Sequence, residues 1–117
     1  MALWVATAAS CADPTAVLVD GVRAELAGAG LEVHNLRAEA IYYFATERRR
    51  AAYIDWAPCV GPAPCPRIDP DGSAMVPYSV LGWTSDSSEA LLYWWQMTRV
   101  GGEGMAVDSI RTILVRR

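Results

Sequence analysis

The stretch that most constrains this chain is Ser85 to Gly102, SDSSEALLYWWQMTRVGG. Asp86 and Glu89 have the spacing of a capping box, in which two side chains satisfy the free N–H groups that open a helix. Gly101 and Gly102 suit the far end, where a left-handed residue closes the last turn. Between them run Ala90, Leu91, Leu92, Tyr93, Trp94, Trp95, Met97 and Val100. Tyrosine and tryptophan also favour strands. The caps, with Ala, two Leu, Gln and Met, turn the prediction to helix. A surface helix needs one apolar stripe, and this one would be apolar around most of its circumference. Trp94 and Trp95 would point about 100° apart, so one sheet could not cover both. The helix is therefore expected to meet its own sheet on one side and a second subunit on another.

Composition sets the remaining bounds. A chain of 117 residues with 53% hydrophobic residues is expected to be one domain, 1–117, with a core of its own. Its apolar runs fall short of the roughly 20 residues a membrane span needs, so no membrane partner is expected. The opening ALWVATAASCA resembles part of a secretory signal but lacks a basic leader. It reads instead as a strand of a cytoplasmic or virion-assembled protein. The net charge of −3 argues against general nucleic-acid binding, which needs a basic face. All ten basic residues are arginine, a codon bias that points to a GC-rich bacterial or phage genome.

In chain order, Leu3 to Thr7 reads as a buried strand and Ala8 to Ala12 as a small-residue loop. Asp13-Pro14 then opens a helix with Leu18, Val22, Leu26 and Ala29 on its inner stripe. Gly21 weakens that helix and Gly30 ends it, before a strand at Leu31 to Leu36. Arg37 to Trp56 fits either a hairpin or a helix. The hairpin, with strands Ile41 to Thr46 and Ala51 to Trp56, is preferred. Pro58 to Gly72, with five prolines, is a loop. Met75 to Trp83 is a strand, Glu103 to Ala106 a turn, and Asp108 to Arg117 the last strand. This order predicts an α+β ferredoxin-like sandwich, two helices on a mostly antiparallel sheet. A flavodoxin-like α/β sheet is the alternative if Arg37 to Arg50 is helical.

Several groups could carry chemistry. Cys11 precedes the cap residue Asp13, and a helix N-terminus there would lower its pKa. The loop Ala8 to Asp13 could bind a flavin or phosphate, but it lacks a glycine-rich pattern, and Asp13 would repel an anion. Cys59 and Cys65 are separated by VGPAP, whose prolines restrict disulfide geometry, so free thiols are expected. With Cys11 and His34 they lack the paired spacing of zinc ligands, and no metal or other cofactor is expected. His34 is the only histidine and reads as a strand residue facing solvent or a satisfied neighbour. Asp69, Asp71 and Gly72 read as a turn, because the acidic residue that would complete a calcium loop is missing. Arg48, Arg49 and Arg50 read as a solvated turn able to meet an acidic partner surface. No catalytic residues are assigned.

Aromatic residues and arginine carry interface energy, so Leu91, Leu92, Trp94, Trp95 and Arg48 to Arg50 are the expected contacts with other subunits. The function expected is a non-catalytic interaction or assembly module that self-associates into a homo-oligomer or with other protein subunits. Ring-forming tail-joining proteins of phage virions offer an analogy of element order. The alternative is a small flavin- or phosphate-binding enzyme using residues 8–13.

Overall fold

The computed structural model describes residues 16–60, 64–102 and 104–117. The expected strand Leu3–Thr7, the helix start at Asp13-Pro14, and the residues Cys11 and Asp13 lie outside these. What is described is built almost wholly of strands: β1 (Val17–Val19), β2 (Val22–Leu26), β3 (Gly30–Asn35), β4 (Ile41–Glu47), β5 (Arg67–Ile68), β6 (Ser73–Pro77), β7 (Glu89–Trp95), β8 (Met97–Val100), β9 (Gly104–Val107) and β10 (Arg111–Arg116). Among the described residues, helical structure is confined to a 3-10 turn at Arg50–Ala52 and one α turn, Tyr78–Leu81.

These facts overturn the ferredoxin-like α+β expectation and its flavodoxin-like alternative. Within the described residues neither predicted helix forms, and every strand pair is antiparallel. The strands make two sheets, ordered β1-β2-β3-β6 and β10-β7-β4-β5, and a separate two-stranded ribbon, β8-β9. The sheets bury one common core between them. The first contributes Val22, Ala24, Leu31 and Val33, and the second Ile41, Leu92, Trp94, Ile113 and Val115.

The first helix fails at Asp20-Gly21. These residues take φ of 51° and 81° and form a two-residue turn that pairs Val19 with Val22. Asp-Gly in that setting is a strong hairpin signal, because both positions must adopt positive φ. Leu18 and Val22, placed on one helical stripe, are a largely exposed edge residue and a core residue respectively.

The second helix fails because its polar flanks have other work. Thr84 N–H donates to Ser87 Oγ at 2.9 Å, and Asp86 N–H to Thr84 Oγ1 at 3.3 Å. The serines and Asp86 thus form a turn, not a cap. Glu89 opens β7, and Gly101-Gly102 turn the β8–β9 ribbon. An adjacent Trp pair then needs no second subunit, since neighbouring strand residues face opposite ways.

Elsewhere the expectations fared unevenly. Strands expected at 31–36, 41–46 and 108–117 appear as β3, β4 and β10. The second arm of the expected hairpin, Ala51 to Trp56, is the 3-10 turn and irregular chain. Met75 to Trp83 splits into the end of β6 and the α turn, and the expected turn 103–106 is largely β9. The loop 58–72 contains β5 and a turn in which Gly72 N–H donates to Asp69 C=O. Asn35, fully buried, ties this loop down: its Nδ2 donates to the carbonyls of Glu39 and Ile68.

Candidate functional site

The expected interface residues on β7 divide between two faces. Leu92 and Trp94 point into the core and are fully buried. The Trp94 ring lies between two guanidinium groups, Arg37 at 5.2 Å and Arg111 at 4.7 Å, so cations cover what an apolar neighbour would otherwise cover. Trp95 points to the other face and is only 1% exposed. Its indole N–H donates to the Cys59 carbonyl at 3.2 Å. Trp56 closes over this face, with ring centroids 4.8 Å from Phe44, 4.7 Å from Tyr93 and 6.0 Å from Trp95. Leu91 is half-buried on β7. The chain itself thus covers Leu92, Trp94 and Trp95, and none of the three offers surface to a partner.

A disulfide adjoins this cover. Cys59 and Cys65 are bonded, with Cα atoms 5.6 Å apart, inside the ordinary disulfide range. This corrects the expectation of free thiols: the two cysteines lie close enough to bond. Sequence reasoning placed Trp56 at the end of a strand, not over this face, and passed over Asn35. An isolated Trp just before a proline-rich loop, and a buried Asn among apolar strands, leave no periodic signal.

Arg48, Arg49 and Arg50 follow β4 directly but have separate roles. Arg48 pairs with Glu89 at 2.7 Å, and Arg116 meets the other oxygen of that carboxylate at 2.8 Å. Arg49 pairs with Glu47 at 3.2 Å. Glu47 also accepts from the Arg50 backbone N–H at 3.0 Å. Burial pushes the Glu47 carboxyl up, but the bonds from Arg50 and Arg49 outweigh it and hold the pKa below the ordinary value. The Arg50 side chain instead turns toward the α turn, where it donates to the Val80 carbonyl at 2.9 Å.

Beside Arg50 a cleft of about 400 Å³ opens between the sheets, lined by Tyr43, Ala45, Val76, Pro77 and Val80. Burial raises the Tyr43 pKa above its ordinary value. The other surface feature is the β8–β9 ribbon. It exposes Val100 (49%) and Met105 (37%), and Ile110 (42%) lies in the link to β10.

His34 lies on the outer face of the first sheet, with Nε2 3.2 Å from the Asp71 carbonyl oxygen. Asp69 pairs with Arg67 at 2.8 Å. Among the described residues no group of three His, Cys, Asp or Glu side chains could hold a metal ion. Among them, too, no helix is long and apolar enough to cross a membrane. No protein-family model, curated protein or solved structure matches the chain.

Proposed function

We propose that this chain is a non-catalytic interaction module that self-associates within a larger assembly. The observation that carries the reading is the β8–β9 ribbon. It belongs to neither sheet, and a two-stranded hairpin alone in water is marginally stable at best. Its exposed Val100 and Met105 are large apolar groups that a second copy would cover. The Cys59–Cys65 bond adds a setting. Disulfides persist in secreted proteins and on virion surfaces and are rare in the cytosol, so a virion or extracytoplasmic assembly is favoured over a cytoplasmic one.

Light scattering of the purified chain tests this. The mass is expected well above the 12.7 kDa of one copy, and Val100→Thr with Met105→Thr is expected to bring it down toward that value. These changes keep strand propensity while removing apolar surface. A monomer at every concentration would overturn the reading.

A further inference from the structure

The cleft between the sheets is a second surface, which self-association through the ribbon leaves unused. Among the described residues it is bordered by two strands with an open side. β4 is paired by β5 only at Ile41 and Tyr42, and β6 is the last strand of the first sheet. Open strand edges present N–H and C=O groups to which another strand can bond. At the far end of β4, Thr46 Oγ1 donates to the Leu81 carbonyl, which leaves Tyr43–Ala45, half-buried at Tyr43 and Phe44 and buried at Ala45, without a strand on that side among the described residues. β6 ends in Pro77, which has no N–H to give. β4 is therefore the better edge.

Arg50 adds a charge to this apolar surface. Its stem crosses Gly82, where a Cβ would lie 2.5 Å from Arg50 Cδ, and its Nη1 is held by the Val80 carbonyl. Gly82 sits at φ 80°, which also favours glycine. Among the described residues no carboxylate lies within ion-pair distance of this guanidinium. A guanidinium has five N–H donors, and the fork matches a carboxylate.

We infer that the cleft docks an extended segment of a partner protein. The segment adds to the β4 edge at Tyr43–Ala45, lays apolar side chains against Val76 and Val80, and places a carboxylate on Arg50. The carboxylate comes from an Asp, a Glu or a chain end. Adding a strand supplies main-chain hydrogen bonds for affinity, while pockets for alternate side chains give selectivity. A lipid tail would fill the apolar floor but could not bond the open edge.

The test is to pan a phage-displayed library of random ten-residue peptides against the full chain. Synthetic copies of the enriched peptides are then titrated by fluorescence anisotropy. The expected winners alternate apolar residues and carry an acidic group. Their affinity is expected to fall at least tenfold with Arg50→Gln and to be lost with Val80→Arg. Both side chains lie on the surface, and near-UV circular dichroism checks that each variant is folded. Hydrogen exchange of the complex is expected to slow at Tyr43–Ala45. The inference is overturned if no peptide is enriched over the Val80→Arg control. Equal binding by Arg50→Gln, or protection on another strand, would also overturn it. Scattering mass without peptide is read separately, so failure here and failure of self-association are distinguishable.

Discussion

The two sheets are built from similar lengths of chain but treat their outer faces oppositely. The first alternates in the ordinary way. Val22, Ala24 and Leu26 face the core, while Arg23 and Glu25 face away, joined across the strands by His34 and Glu32. The second sheet is apolar on both sides. Ala90, Leu92 and Trp94 fill the core, and on the outer face Trp56 and the disulfide-bonded loop cover Tyr93 and Trp95, with Leu91 half-buried beside them. A sheet can expose one face to water, whereas strands covered on both faces read as continuous apolar runs. An apolar excess on one element therefore need not call for a second molecule. A loop of the same chain can meet it.

The most severe way to probe this contrast is Trp94→Ala. It opens a cavity in the core and leaves Arg37 and Arg111 beside it, and is expected to cost about 3–5 kcal/mol in urea unfolding. A loss near zero would mean that the inner face of the second sheet does not hold the two layers together. Next is removal of the bond that anchors the outer cover. Cys59→Ser with Cys65→Ser is expected to cost about 2 kcal/mol, the chain-entropy value for so short a loop. Tryptophan emission should shift to the red as the outer face is wetted. If emission stays unchanged, the loop holds without the bond. Trp56→Ala, which strips the cover but leaves the core, is expected to cost about 1–2 kcal/mol. A cost equal to that of Trp94→Ala would erase the distinction between core and cover.

Glu47 supplies a pH test at the end of β4. Its pKa in the folded chain is held below the unfolded value, about 4.3 for a glutamate. Its contribution is therefore present in full above that pH and is lost as pH falls through the folded value. Stability should decline on acidification below about pH 4.3, and Glu47→Gln should remove part of that decline. An unchanged acid limb would show that Glu47 is not a source of it. The smallest expected effect lies on the polar sheet. Glu25 and Glu32 stand opposite each other in the β2–β3 register. Glu32→Lys replaces like charges with unlike and is expected to stabilise by about 0.2–1 kcal/mol. A clear loss would show that this face is not the simple solvated surface its alternation implies.

Legibility followed the same contrast. The period-two pattern of Leu31 and Val33 against Glu32 and His34 allowed β3 to be read, and Ile110 to Val115 did the same for β10. The Asp20-Gly21 turn was equally open to reading but was overridden by the helical spacing of Leu18, Val22 and Leu26. β7 had no usable period, because both of its faces are apolar. There, helix caps and hairpin polar residues share the same alphabet: Asp, Ser and Gly punctuate either. Of the candidate sites, Arg48 to Arg50 could be located in the chain, but their three separate partners come from β4, β7 and the α turn. The cleft gathers β4, β6 and the α turn, and its open edge has no sequence marker.

Read alone, the chain is rich in apolar residues, with a proline-rich loop and an excess of aromatic residues in its second half. Where those residues go was decided only in three dimensions. Strand pairing is non-local, and a residue's outward or inward direction depends on its register with a strand many positions away. Cover for Trp95 comes from Trp56 and the carbonyl of Cys59, groups that no local pattern ties to it. Only the folded chain brings them within reach.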